Sequence, residues 1–363
     1  MVGRLNTSDN SGKKKPKAPT MVDVAREAGV STMTVSRALR DDTSVSDATR
    51  AKILTAAERL GYVLDSTAAV LSSRRTGFVA VTIPSINNAN FAETVRGLSE
   101  RLRDARLEIL LGYTDYDVQE EERLIEQFLR RRPEAIVVTG GVHTDRCRRL
   151  LVNSGVPVVE VWDLPAKPIE HVVGFSNADA AKLMVDHFIE RGYRHIAFIG
   201  GDTRRDTRGY ERRRGFVEAL AAHGLDARRL VASGLPPISM HEGAAALGEV
   251  LTRWPDTEAI MCVSDLSAFG ALTECQRRGL RVPDDIAIAG FGAYDISEHA
   301  VPSISTIDVS AREIGRLTGD TVIRVLNSNS ESGVRIVAQI EPRLISRETT
   351  APVRRHRRAG TTA

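Results

Sequence analysis

The chain holds no run approaching the roughly 18 consecutive apolar residues of a membrane span, which excludes a helical membrane protein. Its first residues, MVGRLNTSDNSGKKKPK, carry charge but no apolar stretch of the kind an export signal needs. Cysteine is scarce: Cys147, Cys262 and Cys275 are scattered and odd in number. That excludes a disulfide framework, argues against a zinc site, and fits a reducing cytoplasm. No G-x-G-x-x-G follows a strand and no phosphate-binding P-loop occurs. No Ser-His-Asp set, paired carboxylates or metal spacing is tied to a motif. An enzyme is therefore not expected, and neither is a cofactor, a metal or a membrane partner.

What is present is a 363-residue chain with 42% hydrophobic and 27% charged residues. That composition is soluble and globular, and the length exceeds one core, so two or three domains are expected. The net charge of +3 is unevenly placed. Residues 1–75 hold 13 Lys and Arg against 8 Asp and Glu, and residues 351–363 hold four Arg and no acid. A basic end on an acidic body suggests a polyanion partner at that end. Taken alone, residues 1–18 and the VRRHRRAG tail read first as solvated, disordered arms.

Texture divides the chain. Residues 1–19 form a basic arm without apolar period, expected to be disordered. Residues 20–64 carry three short helical patterns. Thr20-x-x-Asp23 is a capping-box-like start, with Val24, Ala25 and Ala28 inward and Gly29 as the stop. Ser31 starts a second helix and Ser46 a third, in which Ile53, Ala57 and Leu60 share a face before Gly61. From Thr76 onward apolar strands (GFVAVTIP, LEILLGY, EAIVVTGG, VPVVEVW, RHIAFIGG, EAIMCVSD, DIAIAGF) alternate with amphipathic helices. That order calls for parallel sheets covered on both faces. About half the strands precede a seam near residue 176, so two similar lobes with a cleft between them are expected.

The second helix poses a question of its own. At about 100° per residue, Thr32, Met33, Ser36 and Arg37 span an arc of about 140°. Val35, Ala38 and Leu39 lie elsewhere. Helix, glycine turn and capped helix make the helix-turn-helix pattern, whose second helix enters a DNA major groove. The residue types suit that role, since Arg is bidentate to guanine, Thr bonds either way, and an apolar tip meets the thymine methyl. A small helical bundle with a chance amphipathic helix is the alternative.

TMVDVAREAGVSTMTVSRAL resembles the N-terminal signature of the lactose-repressor (LacI/GalR-type) family of bacterial transcription regulators. Asp23-Val24-Ala25, Ala28-Gly29-Val30-Ser31 and Thr34-Val35-Ser36-Arg37 fall in register, and the likeness extends to about Glu348. The resemblance implies that the partner is double-stranded operator DNA. It makes Thr32, Met33 and Arg37 the base readers, with Thr20, Ser31, Thr34 and Ser36 contacting phosphate or capping helices. Residues 65–75, in GYVLDSTAAVLSSRRTG, resemble the family's hinge, which folds on operator DNA. There Leu71 is the minor-groove wedge and Ala68 lies against the groove floor. Leu64 stands where the family usually has proline.

For the core the resemblance implies a two-lobed α/β fold like the periplasmic sugar-binding proteins, with two doubly wound parallel sheets, a dimer contact and an effector in the cleft. Lobe 1 takes residues 76–175 plus 306–335, lobe 2 takes 176–305, the core ends at 350, and 351–363 form a disordered basic tail. Carried over by position, Phe91 lines the cleft floor with Asn90 beside it, and Asp163 and Asp265 take ligand hydroxyls. Arg212 grips the effector's anionic or polar group, with Arg205 and Thr207 joining it. His143 is expected near the cleft mouth, a plain loop histidine being the alternative. VTGGVHTDR, VGFSNADAA and CVSDLSAFGALTECQRRGLRVPDDIAIAGFG look most like the gluconate-operon repressors, except that Ser176 replaces an Asp usual there. The expected function is thus a repressor released by gluconate or a related sugar acid. Co-repression, another sugar or sugar phosphate, and a carbohydrate-binding protein without a DNA role are the alternatives. No leucine heptad ends the chain, so a homodimer is expected.

Overall fold

Three short helices follow one another from Thr20 because each has a hydroxyl residue at its start and two have a glycine at their end. In α1 (Met21–Ala28) the Thr20 backbone N and Oγ1 both donate to Asp23 Oδ2, at 2.9 and 2.6 Å. Gly29 closes it at φ +65°, a left-handed conformation that favours glycine. In α2 (Thr32–Ala38) Ser31 Oγ accepts from the Thr34 N–H at 3.1 Å. In α3 (Asp47–Leu60) Ser46 Oγ accepts from the Thr49 N–H at 3.4 Å. Val24, Ala25, Ala28, Val35, Ala38, Ile53, Ala56 and Ala57 form their common core. The computed structural model describes residues 17–39, 43–63, 76–201, 205–328 and 334–352. The chain divides into two units, residues 1–76 and 77–363.

In the second unit, β1 (Phe78–Ile83), α4 (Ala89–Asp104), β2 (Glu108–Tyr113), α5 (Val118–Arg130), β3 (Ala135–Thr139), α6 (Asp145–Val152), β4 (Val158–Val161) and β5 (His171–Gly174) build lobe 1. Lobe 2 follows with α7 (Asn177–Glu190), β6 (Ile196–Ile199), α8 (Thr207–Ala222), β7 (Leu230–Val231), α9 (Met240–Arg253), β8 (Ala259–Cys262), α10 (Asp265–Arg277), β9 (Ala287–Ala289) and α11 (Asp295–His299). The chain ends with β10 (Thr306–Asp308), α12 (Ala311–Asn327), β11 (Val337–Gln339), β12 (Arg343–Ile345) and a 3₁₀ turn, Glu348–Thr350.

Both main sheets are parallel, in the orders β11-β5-β4-β3-β1-β2 and β7-β6-β8-β9. Strands such as β6 and β8 are apolar on both faces because helices cover both sides. The chain passes between lobes at residues 175–177, after β10, and between β11 and β12. The sequence reading ends lobe 1 at residue 335 and lobe 2 at 305. In the structure β11 pairs with the exposed edge of β5, so lobe 1 runs on to Gln339. The last residues then return to lobe 2, where β12 pairs antiparallel with β10.

The lobe 1 helices α4 and α12 cross at very close range. A Cβ on Gly315 would lie 2.0 Å from the Thr94 carbonyl oxygen, and one on Gly97 would lie 2.1 Å from that of Arg312. Backbone atoms cannot step aside, so Gly315→Ala must push the helices apart. We expect a loss of about 1–3 kcal/mol, read as a lower melting temperature; an unchanged melt would show that the crossing is loose.

The returning segment is held by His187, whose Nε2 lies 2.7 Å from Thr350 Oγ1, and by Tyr193, whose OH donates to the Ala351 carbonyl at 2.7 Å. Burial, with Arg191 nearby, pushes His187 down from 6.5 to about 4. The fold thus favours the neutral ring. Its contribution is complete above about pH 6.5 and is lost as pH falls toward 4. Stability should drop by roughly 1–3 kcal/mol across that window. His187→Gln should flatten this part of the melting-temperature profile, and equal slopes in both proteins would exclude the assignment.

Candidate functional site

In the first unit, α2 buries Val35 and Ala38 and presents the other side outward. Thr32 and Arg37 are exposed, and Met33 is 63% exposed, in the range of a tip awaiting a partner rather than a core residue. Thr34 and Ser36 are half-buried. Ser31 and Thr34 hydroxyls share a 2.9 Å hydrogen bond, so they serve first to cap the helix. Thr20 is exposed at the start of α1. Arg37 makes no ion pair among the described residues. Ala68, Leu71 and the non-proline Leu64 lie outside the described residues.

In the second unit a cavity of about 160 Å³ lies where the two lobes face each other at the strand C-terminal ends. From lobe 1 come Asn87, Asn88, Asn90, Phe91, Tyr116 and Trp162; from lobe 2 come Asp206, Arg208, Arg212, Ser264, Phe291 and Tyr294. An aromatic column backs it. Phe91 meets Trp162 edge-on at 5.2 Å, Trp162 meets Phe175 at 5.8 Å, and Phe175 stacks on Phe291 at 6.3 Å. Trp162 has φ +74°, and its position is over-determined. Its Nε1–H donates to Thr94 Oγ1 at 3.1 Å, and its carbonyl accepts from Asn177 Nδ2 at 3.0 Å.

Two guanidinium groups dominate the electrostatics. Arg212 lies 3.7 Å over the Phe291 ring, with Nε donating to Asn177 Oδ1 at 3.0 Å and Nη1 to the Val263 carbonyl at 2.9 Å. Burial pushes its pKa down. Arg208, one helical turn earlier, is only 5% exposed. It lies over Phe91 and Tyr116, at 5.6 and 5.9 Å, and reaches the Thr139 carbonyl at 3.4 Å. Among the described residues no carboxylate hydrogen-bonds to either. Asp206 lines the cavity but caps α8, accepting from the Gly209 N–H at 3.0 Å. Across the cleft the Tyr294 hydroxyl donates to Asn88 Oδ1 at 2.8 Å, tying lobe 2 to the start of α4.

Of the effector residues expected from sequence, the cavity brings together Asn90, Phe91 and Arg212. Asp265 is placed differently. It is wholly buried behind the wall, with Oδ2 accepting from the Tyr294 N–H at 2.7 Å and Oδ1 from the Thr306 hydroxyl at 2.6 Å. Both oxygens are engaged, and burial pushes its carboxyl up to about 6; it positions Tyr294 and does not line the cavity. Asp163 also stays off the lining, because Trp162 takes that place. Its Oδ1 accepts from the Leu164 N–H at 2.9 Å, and burial raises its carboxyl. Arg205 and Thr207 face a separate recess, with Arg205 3.7 Å from Asp117 Oδ2. His143 is buried inside lobe 1 between Glu121 and Glu160, away from the cavity. Burial alone would lower its pKa, but hydrogen bonds to Cys147, Glu121 and Glu160 hold it at about 11. Ser176 Oγ caps α7 by accepting from the Asp179 N–H at 3.1 Å, a cap that an Asp would also supply.

The sequence reading missed Arg208, Trp162, Tyr116 and Asn88. For Arg208 a signal existed: it precedes Arg212 by four residues, which places both on one face of α8.

Residues 20–65 match the model of the bacterial regulatory proteins of the lacI family, and residues 185–350 match that of the periplasmic binding protein-like domain. The chain is 35% identical over 320 residues to the HTH-type transcriptional regulator GntR of Pseudomonas aeruginosa, covering 88% of this chain and 93% of that protein. The chain belongs to the LacI family. To GntR of Escherichia coli it is 33% identical over 87% of this chain and 94% of that one. A LacI-family transcriptional regulator from Silicibacter pomeroyi superposes with a TM-score of 0.85 at 34% identity, covering 92% of this chain and 99% of that one. This LacI-family member is a DNA-binding transcriptional regulator with a helix-turn-helix head and a two-lobed α/β core. Its relatives are regulators rather than enzymes. The lac repressor dimer, solved bound to operator and an anti-inducer, has the same fold with a TM-score of 0.79 at 22% identity. No helix among the described residues is long and apolar enough to cross a membrane.

Proposed function

We propose that this regulator represses genes of sugar-acid catabolism and leaves its operator when a gluconate-type anion fills the cleft. The observation that carries this reading is the pair of Arg208, buried, and Arg212, half-buried, both lining the cavity and neither hydrogen-bonded to a carboxylate among the described residues. A guanidinium withdrawn from water with no carboxylate hydrogen-bonded to it carries a desolvation cost, which the nearby Asp206 charge offsets only in part at Arg212. A ligand carboxylate removes that penalty through charge-assisted hydrogen bonds; a neutral sugar does not. Asn87, Asn88, Asn90 and Ser264 supply the groups that hydroxyls need. The resemblance of HTDR, FSNADAA and CVSDLSAFG to the gluconate-operon repressors points the same way.

In this reading the protein works in the cytoplasm as a homodimer. Thr32, Met33 and Arg37 read base edges, while Thr20, Ser31, Thr34 and Ser36 contact phosphate or cap helices. Ala68 and Leu71 enter the minor groove. Effector in the cleft favours one lobe arrangement over another, and the two heads lose their operator spacing. A thermal-shift screen of gluconate, ketogluconates, their phosphates and neutral sugars tests the ligand class. Free sugar acids are expected to raise the melting temperature and glucose to leave it unchanged. Stabilisation by neutral sugars alone, or by phosphates alone, would overturn the sugar-acid reading.

A further inference from the structure

We propose that Glu121, His143 and Cys147 form a binding site for a divalent transition-metal ion, Zn²⁺ by preference, inside lobe 1. Glu121 stands in the first turn of α5, Cys147 in the first turn of α6, and His143 in the loop just before α6. One ligand atom from each lies within 4.8 Å of the others. Glu121 Oε2 is 2.6 Å from His143 Nδ1 and 3.8 Å from Cys147 Sγ. Ligands bound at about 2.0–2.3 Å in a tetrahedron stand roughly 3.2–3.8 Å apart. The carboxylate and thiol thus need almost no movement, and the carboxylate and imidazole must open by less than about 1 Å.

The surroundings match those of a metal-bound imidazole. A ligating histidine usually directs its other nitrogen at a carboxylate, which fixes the ring. Here His143 Nε2 faces Glu160 Oε1 at 3.4 Å, and Glu160 Oε2 accepts from the Ile169 N–H at 2.5 Å. Cys147 is fixed through its backbone N–H, which donates to Thr144 Oγ1 at 2.9 Å. The side chains of His143, Glu121 and Glu160 are 1%, 6% and 0% exposed, and Cys147 is buried. Neither glutamate pairs with a Lys or Arg among the described residues. Two buried carboxylates therefore share one imidazole, a donor set with negative charge in surplus. A divalent ion meets it by displacing the proton from His143 Nδ1 and the proton from the Cys147 thiol.

The experiment uses the full chain, stripped with a chelator and titrated with Co²⁺. Expected are one equivalent bound per chain, a thiolate-to-cobalt charge-transfer band, and displacement of that band by Zn²⁺. The double variant Cys262→Ser/Cys275→Ser, in which Cys147 is the remaining thiol, must keep the band. Cys147→Ser must lose it, and Zn²⁺ must no longer raise its melting temperature. Absence of the band from the double variant, or the same spectrum from wild type and Cys147→Ser, would overturn the site and leave a purely structural Glu–His–Glu cluster. If Cys147→Ser fails to fold, Glu121→Gln takes its place, with weakened Co²⁺ binding expected and unchanged binding contradicting the proposal.

Discussion

Arg212→Ala is expected to weaken sugar-acid binding at least about 100-fold, equivalent to roughly 3 kcal/mol, while leaving operator affinity of the effector-free protein near wild type. The guanidinium is stacked on Phe291 and held by Asn177 and Val263, so its remaining donors have a fixed direction before the ligand arrives. Pre-organised forks lose little entropy on binding a carboxylate. Arg212→Lys keeps the charge and loses the fork, and should fall between the two. Calorimetry gives the affinities, and a melt of each variant separates lost ligand contact from lost folding. Equal binding by wild type and Arg212→Ala would mean that the effector sits elsewhere.

Arg37→Ala is expected to weaken operator binding by about 1–3 kcal/mol and to relax the base choice at one position. The side chain is exposed on the outward face of α2, opposite buried Val35 and Ala38. Binding to random duplex should change far less. A salt series distinguishes the two roles of an arginine: a base reader leaves the slope of log affinity against log salt nearly intact, whereas a phosphate contact lowers it by about one. Equal loss on operator and random DNA would assign Arg37 to the phosphates.

The cleft is suited to relay a signal because its parts belong to both lobes. Tyr294 from lobe 2 bonds Asn88 of lobe 1, and Arg208 from lobe 2 lies over Phe91 and Tyr116 of lobe 1. Asp265 orients Tyr294 from behind. An anion that draws Arg208 toward itself would change contacts on both sides at once. A ligand shifts such an equilibrium only by its differential affinity for the two arrangements. Residues that bridge the lobes are therefore the ones through which it acts.

The head was legible because its rules are local. Hydroxyl caps, glycine stops and a helical apolar face are each readable within a few residues, and Thr20, Ser31, Ser46, Gly29 and Gly61 act in the structure as those rules require. The buried strands of the core were legible for a similar reason. Less so were α9 and α12, which carry Gly243, Gly248, Gly315 and Gly319 in their interiors. Those glycines weaken a helix signal, yet at Gly243 and Gly315 an added Cβ would strike the backbone of a neighbouring helix. Strands β10 to β12 have three residues each, too short for alternation to show.

For the cleft, the residue types were readable but their direction was not. Asp163 and Trp162 are neighbours in sequence, and which one lines the cavity depends on where β4 ends. Asp265 has the chemistry to hold a hydroxyl, but Thr306, 41 residues away in sequence, occupies one of its oxygens. His143 looks like a loop histidine until Glu121 and Glu160 are seen on either side of it. Partners brought from distant segments decide these roles, and no local pattern encodes them.

Release of DNA by a sugar acid is tested by fluorescence anisotropy of the full chain on an operator duplex selected from a random pool, titrated with gluconate and, in parallel, with glucose. The expected result is a saturable fall in operator affinity of at least about tenfold with gluconate, the effect of roughly 1.4 kcal/mol of coupling, and none with glucose. An operator affinity that gluconate leaves unchanged, or strengthens, would contradict release by a sugar acid.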